Sequence, residues 1–300
     1  MDKKEVWELI RQVMQRLTRH YGDVLVNAVT SLGLEPSEFF LVILPAHLFG
    51  PDPISAARLR KKIPYNSAFY YNEPLLSAKK AGFLDEAMEG GYTLNQRGHE
   101  AFRTIINAAY RQMERLSPLS EAALDQLKLL LAKLVQASIL SSEPISKWSI
   151  LHSRRLDPGR NTAPMITIDQ YLSDLSSFRD DAHLASWSSH AVDAHTWDIL
   201  GILWGDKASS TAEIIDLVKK RRWTEAETRK AISVLVGKGW VVNEEILMLT
   251  EKGSQVRNNA EELTDKLFFS PWSVLQDNEY KQLCELLKQL HENLAEQKIN

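Results

Sequence analysis

The chain has 300 residues, of which 44% are hydrophobic and 25% charged, which is typical of a globular protein with room for two domains and excludes a disordered or fibrous chain. The net charge of −3 divides unevenly, because residues 1–140 carry 17 basic against 15 acidic side chains and the remainder therefore sums to −5. Neither half has the strong basic excess that by itself indicates nucleic-acid binding.

Hydrophobic spacing and helix breakers predict the elements of the first half in chain order. The stripe that begins at Val6 predicts an amphipathic helix ending near Gly22. The segment 24–31 is then either a second short helix or a continuation after a kink. Further helices are predicted at 36–49, 55–62, 67–81, 99–116 and 121–140, with a β-hairpin around 83–94. Pro74 is expected to kink the 67–81 helix unless it lies in the first turn.

Residues 141–163 contain three prolines or glycines and several polar residues, and we predict a turn-rich linker there. The second half repeats the order of the first, with helices predicted at 168–187, 194–204, 211–220, 225–238, 254–268 and 278–295 and a hairpin at 241–249. Thr224 and Glu227 form a predicted capping box at the start of one of these helices. The predicted domains are therefore 1–140, a linker at 141–165, and 166–300.

Short sequence matches between the two halves support this order. Leu94-Asn95-Gln96-Arg97-Gly98 corresponds to Leu249-Thr250-Glu251-Lys252-Gly253, Lys80-Ala81-Gly82-Phe83 to Gly237-Lys238-Gly239-Trp240, and Ser117-Pro118 to Ser270-Pro271. The offsets are 155, 157 and 153 residues, a drift that loops of different length would produce. A fixed internal period is the mark of a repeated unit, so we interpret the chain as a tandem duplication.

Each predicted unit has three helices and a hairpin, and it resembles a winged helix-turn-helix. Lys-x-Gly-aromatic enters the hairpin and Leu-Thr-x-x-Gly leaves it, as in Lys238-Gly239-Trp240 and Leu249-Thr250-Glu251-Lys252-Gly253. A helix before the unit and long helices after it are similar to the MarR-type transcription regulators, in which such helices form the dimer interface. The resemblance implies a mainly α fold with small β-hairpins: two winged helix-turn-helix units with long flanking helices, related by a pseudo-two-fold.

The resemblance also implies that the recognition helices lie at 65–80 and 223–238, where side chains would reach base edges and phosphates of double-stranded DNA. In the first half the predicted DNA-binding residues are Arg58, Arg60, Lys61, Lys62, Tyr65, Asn66, Ser67 and Tyr70. In the second half they are Lys219, Lys220, Arg221, Arg222, Arg229 and Lys230. The alternative is that the aromatic residues belong to the core and that the cations lie on solvated helix ends favoured by the helix dipole.

The predicted hairpin tips oppose DNA contact. They contain Asp85, Glu86 and Glu89 in the first half and Glu244 and Glu245 in the second, and anionic groups repel phosphates. Glu225 and Glu227 at the start of the second recognition helix act in the same direction. These residues leave open a helix-only mode of DNA binding, or a winged fold that binds a protein or a ligand instead of DNA.

Asp180, His183 and Trp187 share one face of a predicted helix, where a small anionic effector could bind. The alternative is a local hydrogen-bonded pair. We find no nucleophile elbow, phosphate-binding glycine loop or paired-cysteine metal site, so no enzyme activity, cofactor or metal is predicted.

The sequence therefore predicts a single-chain, cytoplasmic DNA-binding transcription regulator, with no apolar signal segment and no membrane contact. It is expected to be a monomer that forms a pseudo-dimer internally, or else a homodimer.

Overall fold

The computed structural model describes residues 1–88, 90–159, 162–243 and 246–297. The predicted wing-tip residues Glu89, Glu244 and Glu245 lie outside the described residues. The helices are α1 (Lys3–Ser31), α2 (Pro36–Glu38), α3 (Leu44–Phe49), α4 (Ala56–Lys62), α5 (Ala68–Lys80), α6 (Gln96–Met113), α7 (Glu121–Leu140), α8 (Trp148–Ser153), α9 (Pro164–Trp187), α10 (Ala194–Trp204), α11 (Thr211–Lys219), α12 (Glu225–Gly237), α13 (Glu251–Phe269) and α14 (Asp277–Glu296). The strands are β1 (Leu84–Glu86), β2 (Tyr92–Leu94), β3 (Val241–Val242) and β4 (Met248–Leu249). The mainly helical class with small hairpins is confirmed.

Helix α1 corrects one predicted boundary, whereas helix α5 has close to its predicted bounds and contains Pro74. Helix α1 continues through Gly22 to Ser31, so the segment 24–31 is neither a separate helix nor set off by a break. Its apolar stripe stays in the core over the whole length, with Val6, Leu17 and Val29 fully buried. Helix α5 likewise runs through Pro74, whose ring is buried. In both helices burial of a continuous apolar face outweighs the local cost of the helix-breaking residue.

Both hairpins are antiparallel, and a residue that precedes the helix-turn-helix extends each one. Leu84 pairs with Leu94 in the first hairpin, and Val241 pairs with Leu249 in the second. Ile54 forms a bridge to Tyr92, with two backbone hydrogen bonds whose nitrogen-to-oxygen distances are 2.7 and 2.8 Å. Ser210 forms the corresponding bridge to Ile246. Each hairpin is thereby tied to the segment that begins α4 or α11.

A close contact between the hairpin and the following helix recurs in both halves. The Thr250 hydroxyl accepts a hydrogen bond from the Gly253 amide at 3.0 Å, and the Asn95 side chain accepts one from Gly98 at 3.0 Å. A Cβ on Gly253 would collide with the carbonyl oxygen of Trp240, and one on Gly98 would collide with the corresponding oxygen of Phe83. The glycine in each Leu-x-x-x-Gly match is therefore required by close packing of the helix start on the hairpin.

The segment 141–163 is more ordered than the predicted turn-rich linker. It contains α8, and the Asp181 carboxylate accepts hydrogen bonds from the Ser149 and Ile150 amides at 2.8 and 3.0 Å. Arg154 donates to the buried Asp174 at 2.7 Å, which joins the segment to α9. The prolines and polar residues of the segment predict turns, but a short helix forms there because distant acceptors on α9 bind its free backbone amides. Arg160 and Asn161 lie outside the described residues.

The first long helix of each half packs against a long helix of the other half. Helix α1 packs against α6 and against α14, while α9 packs against α13 and against α7. The Trp7 ring contacts Phe268 with centroids 4.8 Å apart, and a His20 ring nitrogen lies 2.8 Å from the Leu294 carbonyl oxygen. The main core therefore draws on both halves, and it includes the buried Cys284. A separate cluster is formed by the apolar residues of α10, α11, α12 and the second hairpin.

Among the described residues, no single helix has the length and apolar character of a membrane span. Helix α1 and the helical segment 36–49 reach that composition only as a pair bent by 99°.

Candidate nucleic-acid interface

The second helix-turn-helix consists of α11 and α12, and capping side chains fix the start of each helix. The Ser210 hydroxyl accepts from the Glu213 amide at 3.3 Å. Thr224 and Glu227 form the predicted capping box, in which each side chain accepts from the other residue's amide, at 3.2 and 2.9 Å. The capping bonds lower the pKa of Glu227, so this acid is held ionised at the start of α12.

The predicted DNA-binding cations of the second half fall into two groups. Lys219, Lys220 and Lys230 are exposed and make no ion pair among the residues described by the structure. The three arginines are paired: Arg221 with Asp198, Arg222 with Glu73 at 2.7 Å, and Arg229 with Glu225 at 2.9 Å. Among the predicted DNA-binding cations of this half, the lysines are thus the ones that are available to phosphates in this arrangement.

In the first half most of the predicted cations are engaged within the protein. Arg58 donates to Asp52 at 2.5 Å and lies over the Phe49 ring, and the Arg60 guanidinium lies 5.6 Å from the Trp223 ring centroid. Lys62 is half-buried, and burial lowers its pKa. Lys61 is the member of this group that stays exposed.

The exposed face of α5 does not have the composition of a DNA-reading surface. Phe69 and Leu76, seven residues apart on one face, are 67% and 58% exposed, and Glu73 is exposed beside them. Tyr70 is half-buried against Tyr71, and the Asn66 amide donates to the Tyr71 hydroxyl at 3.3 Å. The hydrogen-bonding groups predicted to face bases are therefore partly occupied by the turn itself.

The turns of the two helix-turn-helix motifs touch each other, which the sequence did not indicate. The Ser67 amide donates to the Arg221 carbonyl oxygen at 3.1 Å, and the Trp223 indole N–H donates to the Tyr65 carbonyl oxygen at 2.7 Å. The Arg222–Glu73 ion pair lies beside them. We call this set of interactions the turn contact.

The turn contact covers two of the residues that were predicted to contact DNA. Ser67 is 2% exposed, and the Tyr65 ring packs against the second hydrophobic cluster, near Trp187. Both residues face the other half of the chain instead of the solvent. Aromatic and polar residues in a helix-turn-helix turn suit either location, and their spacing along the sequence does not distinguish the two.

The first wing is anionic, as its sequence indicates, but those of its acids that the structure describes are engaged. Glu86 pairs with Lys79, and Asp85 accepts from the Asn95 amide at 3.3 Å. The side chain at the tip that is most exposed within the described residues is Met88.

The structure places the three residues of the predicted effector site in different surroundings. Asp180 lies on the surface, while His183 lines a cavity of about 520 Å³ between the halves, together with Tyr65, Trp197 and Arg257. Burial and the nearby arginines lower the pKa of His183 to about 4, so its ring is neutral at pH 7. Trp187 is buried and stacks on Trp197 with centroids 5.6 Å apart.

Arg257 and Trp197 are cavity residues that sequence reasoning missed. The guanidinium is 4.6 Å from the Trp197 centroid and 5.2 Å from that of Trp204, and Arg257 is 7% exposed. No short motif includes them, because they come from different helices. The residues described contain no group of three or more side chains that could hold a metal ion.

Comparison with known proteins gives one match. Residues 159–300 match the model of a helix-turn-helix family. The match begins just before α9 and includes α11, α12 and the second hairpin. It supports a DNA-binding helix-turn-helix domain in this half of the chain. No curated protein and no solved structure matches the chain.

Proposed function

We propose that the chain is a DNA-binding transcription regulator in which two related winged helix-turn-helix units form a pseudo-dimer. The observation that carries the proposal is the helix-turn-helix family match over residues 159–300, on a segment in which two capped helices, α11 and α12, are joined by the short turn 220–224. In such motifs the second helix enters the major groove, and neighbouring cations hold phosphates.

The exchange of long helices supports the MarR-like pseudo-dimer. Helices α1 and α9 occupy equivalent places, since each packs on the helix that follows its own hairpin and on the last helix of the other half. The paired glycines Gly98 and Gly253 make the same contact in both halves. One chain thereby provides the two units that a two-fold regulator obtains from two subunits. A monomer in solution is the expected state.

We assign the initial contacts with DNA phosphates to the second half of the chain. Lys219, Lys220 and Lys230 are exposed there, whereas Arg58, Arg60 and Lys62 of the first half are bonded or partly buried. Glu225 and Glu227 stand at the start of α12, but the former is paired with Arg229 and the latter with the Thr224 cap. The ion pair with Arg229 reduces the repulsion of phosphates by Glu225, whereas Glu227 keeps its charge.

The test is fluorescence anisotropy with genomic DNA fragments over a range of salt concentrations. Each lysine that neutralises a phosphate contributes about one unit to the slope of log affinity against log salt. Lys230→Ala should lower the slope by about one unit and weaken binding to all fragments. Lys288→Ala, which removes an exposed lysine from α14, is the matched control and should leave the slope unchanged. Absence of salt-sensitive binding by the wild-type chain at low salt would refute the proposal.

A second candidate function is a protein-binding module with a winged fold. The exposed apolar pair Phe69 and Leu76 on α5 favours it, because apolar side chains on a recognition helix suit a protein surface better than a phosphate backbone. Selection from a random DNA library distinguishes the two. Enrichment of a DNA sequence supports the regulator. If no DNA is retained and Phe69→Ser abolishes co-purification of a protein, the protein-binding module is supported.

A further inference from the structure

The turn contact joins the two recognition helices at the ends that normally read bases. Ser67 is the N-cap of α5, and Arg221 lies three residues before Thr224, the N-cap of α12. The Ser67 amide nitrogen is 3.1 Å from the Arg221 carbonyl oxygen. Three residues span at most about 11 Å, so the two helix starts are no more than about 15 Å apart.

That separation does not fit a two-fold operator. Two half-sites in successive major grooves lie about 34 Å apart, and the N-terminal residues of each recognition helix contact the bases. Helix starts about 15 Å apart cannot both reach such half-sites. In addition, Tyr65 and Ser67 are turned toward the second half, so their side chains are covered where DNA would approach.

Building on the proposed function, we infer that the turn contact is an autoinhibitory latch: the closed chain cannot engage two half-sites, and binding them requires the two turns to separate. The latch is specific, because the Trp223 indole donates to a backbone carbonyl while its ring contacts both Arg60 and His195. The His195 ring is stacked on Trp223 with centroids 4.1 Å apart.

The closed form also has a local cost at Ser67, which reduces its advantage over an open form. The Ser67 hydroxyl is buried without a hydrogen-bond partner in the described part of the chain, and it does not cap α5. A serine N-cap ordinarily accepts from an amide in the first helical turn, and separation of the turns would free Ser67 to do so.

The packing of the second helix-turn-helix permits such a movement. Its apolar residues form a cluster separate from the main core, and Tyr65 packs on that cluster from the first half. Helices α9 and α13 connect the second motif to the main core. Separation of the turns would expose Tyr65 and leave the main core intact.

The test compares two substitutions that each remove an indole donor. Trp223→Phe removes the bond to Tyr65 and keeps an aromatic ring, whereas Trp204→Phe removes a bond to Asn258 within the second half, at 2.9 Å. Loss of one ordinary hydrogen bond shifts an equilibrium about fivefold. If the closed form dominates, Trp223→Phe should bind a two-half-site DNA about fivefold more tightly, because more of the protein is competent. Trp204→Phe should bind like the wild type.

A distance measurement without DNA separates failure of the latch from failure of the proposed function. Spin labels on Phe69→Cys and Ala226→Cys, both at exposed positions, report the separation of the helix starts in a Cys284→Ser background. Trp223→Phe should enlarge the population at long distance, and added DNA should enlarge it further. Glu73→Gln, which breaks the exposed ion pair with Arg222, is a second variant, with an expected effect of about twofold on DNA affinity.

Each outcome decides one of the two hypotheses. Equal or weaker DNA binding by both Trp223→Phe and Glu73→Gln, or an unchanged label distance in the DNA complex, would overturn the latch. If the labels separate in Trp223→Phe and no variant binds DNA, the proposed function fails and the opening of the turns stands.

Discussion

Gly253 offers a sharp stability test, because it lies where α13 starts against the second hairpin. Replacement by alanine would place a Cβ against the Trp240 carbonyl oxygen and 2.9 Å from a Leu249 methyl group. Over-packing of this kind costs about 3 kcal/mol at the upper end of its usual range. The better helix propensity of alanine returns about 1 kcal/mol. We therefore expect Gly253→Ala to lower the free energy of unfolding by about 2 kcal/mol.

The matched control is Gly237→Ala, since Gly237 is the last residue of α12 and has open space around its Cβ position. There alanine meets no neighbour and should stabilise the protein by up to about 1 kcal/mol. Urea denaturation followed by circular dichroism measures both variants. A loss below about 0.5 kcal/mol for Gly253→Ala, or equal effects at the two positions, would show that the hairpin yields and that the close packing is not required.

Two further predictions concern charges buried between α9 and its neighbours. Burial raises the pKa of Asp169 to about 7, although a hydrogen bond from Tyr21 acts in the opposite direction. Between about pH 4 and 7 the folded protein therefore holds a proton that the unfolded chain has released, and its free energy of unfolding falls as the pH rises through that window. Asp169→Asn should therefore raise the free energy of unfolding at pH 8 by at most about 4 kcal/mol and change it little at pH 4, as measured by thermal denaturation at the two pH values. Arg154→Ala leaves the fully buried Asp174 without its cation and should cost about 3 kcal/mol in urea denaturation. Arg11→Ala, which breaks an exposed pair, should cost less than about 0.5 kcal/mol, and equal losses for the two arginine variants would refute the argument.

Local signals in the sequence predicted most of the secondary structure. Apolar spacing located the long helices, and the capping box at Thr224 and Glu227 fixed the start of α12 correctly. The glycines that follow the two hairpins were identified from short matches between the halves, and their close contacts give these matches a physical cause. Each of these features depends on residues near one another in the chain, and such features leave a visible pattern.

Features that depend on distant partners were not predicted. Helix α8 forms because Asp181, more than 30 residues later, accepts its free amides, and the composition of the segment gave no sign of that acceptor. The bridge between Ile54 and Tyr92 likewise joins residues that no periodic pattern connects. Contacts of this kind require knowledge of how the helices pack, which one sequence does not contain.

The turn contact shows how the same limitation affects a functional prediction. Tyr65 and Ser67 have the hydrogen-bonding groups of DNA contacts, and Arg221 and Arg222 have the charge, so residue type and position both favoured the interface. The structure gives these groups other partners: a backbone carbonyl, a carboxylate and an apolar cluster. Because each group can serve either set of partners, burial in the closed chain and contact with DNA in an open one are compatible uses of the same residues. This double use is what a latch requires, since the groups that hold the turns together are also those that DNA would compete for.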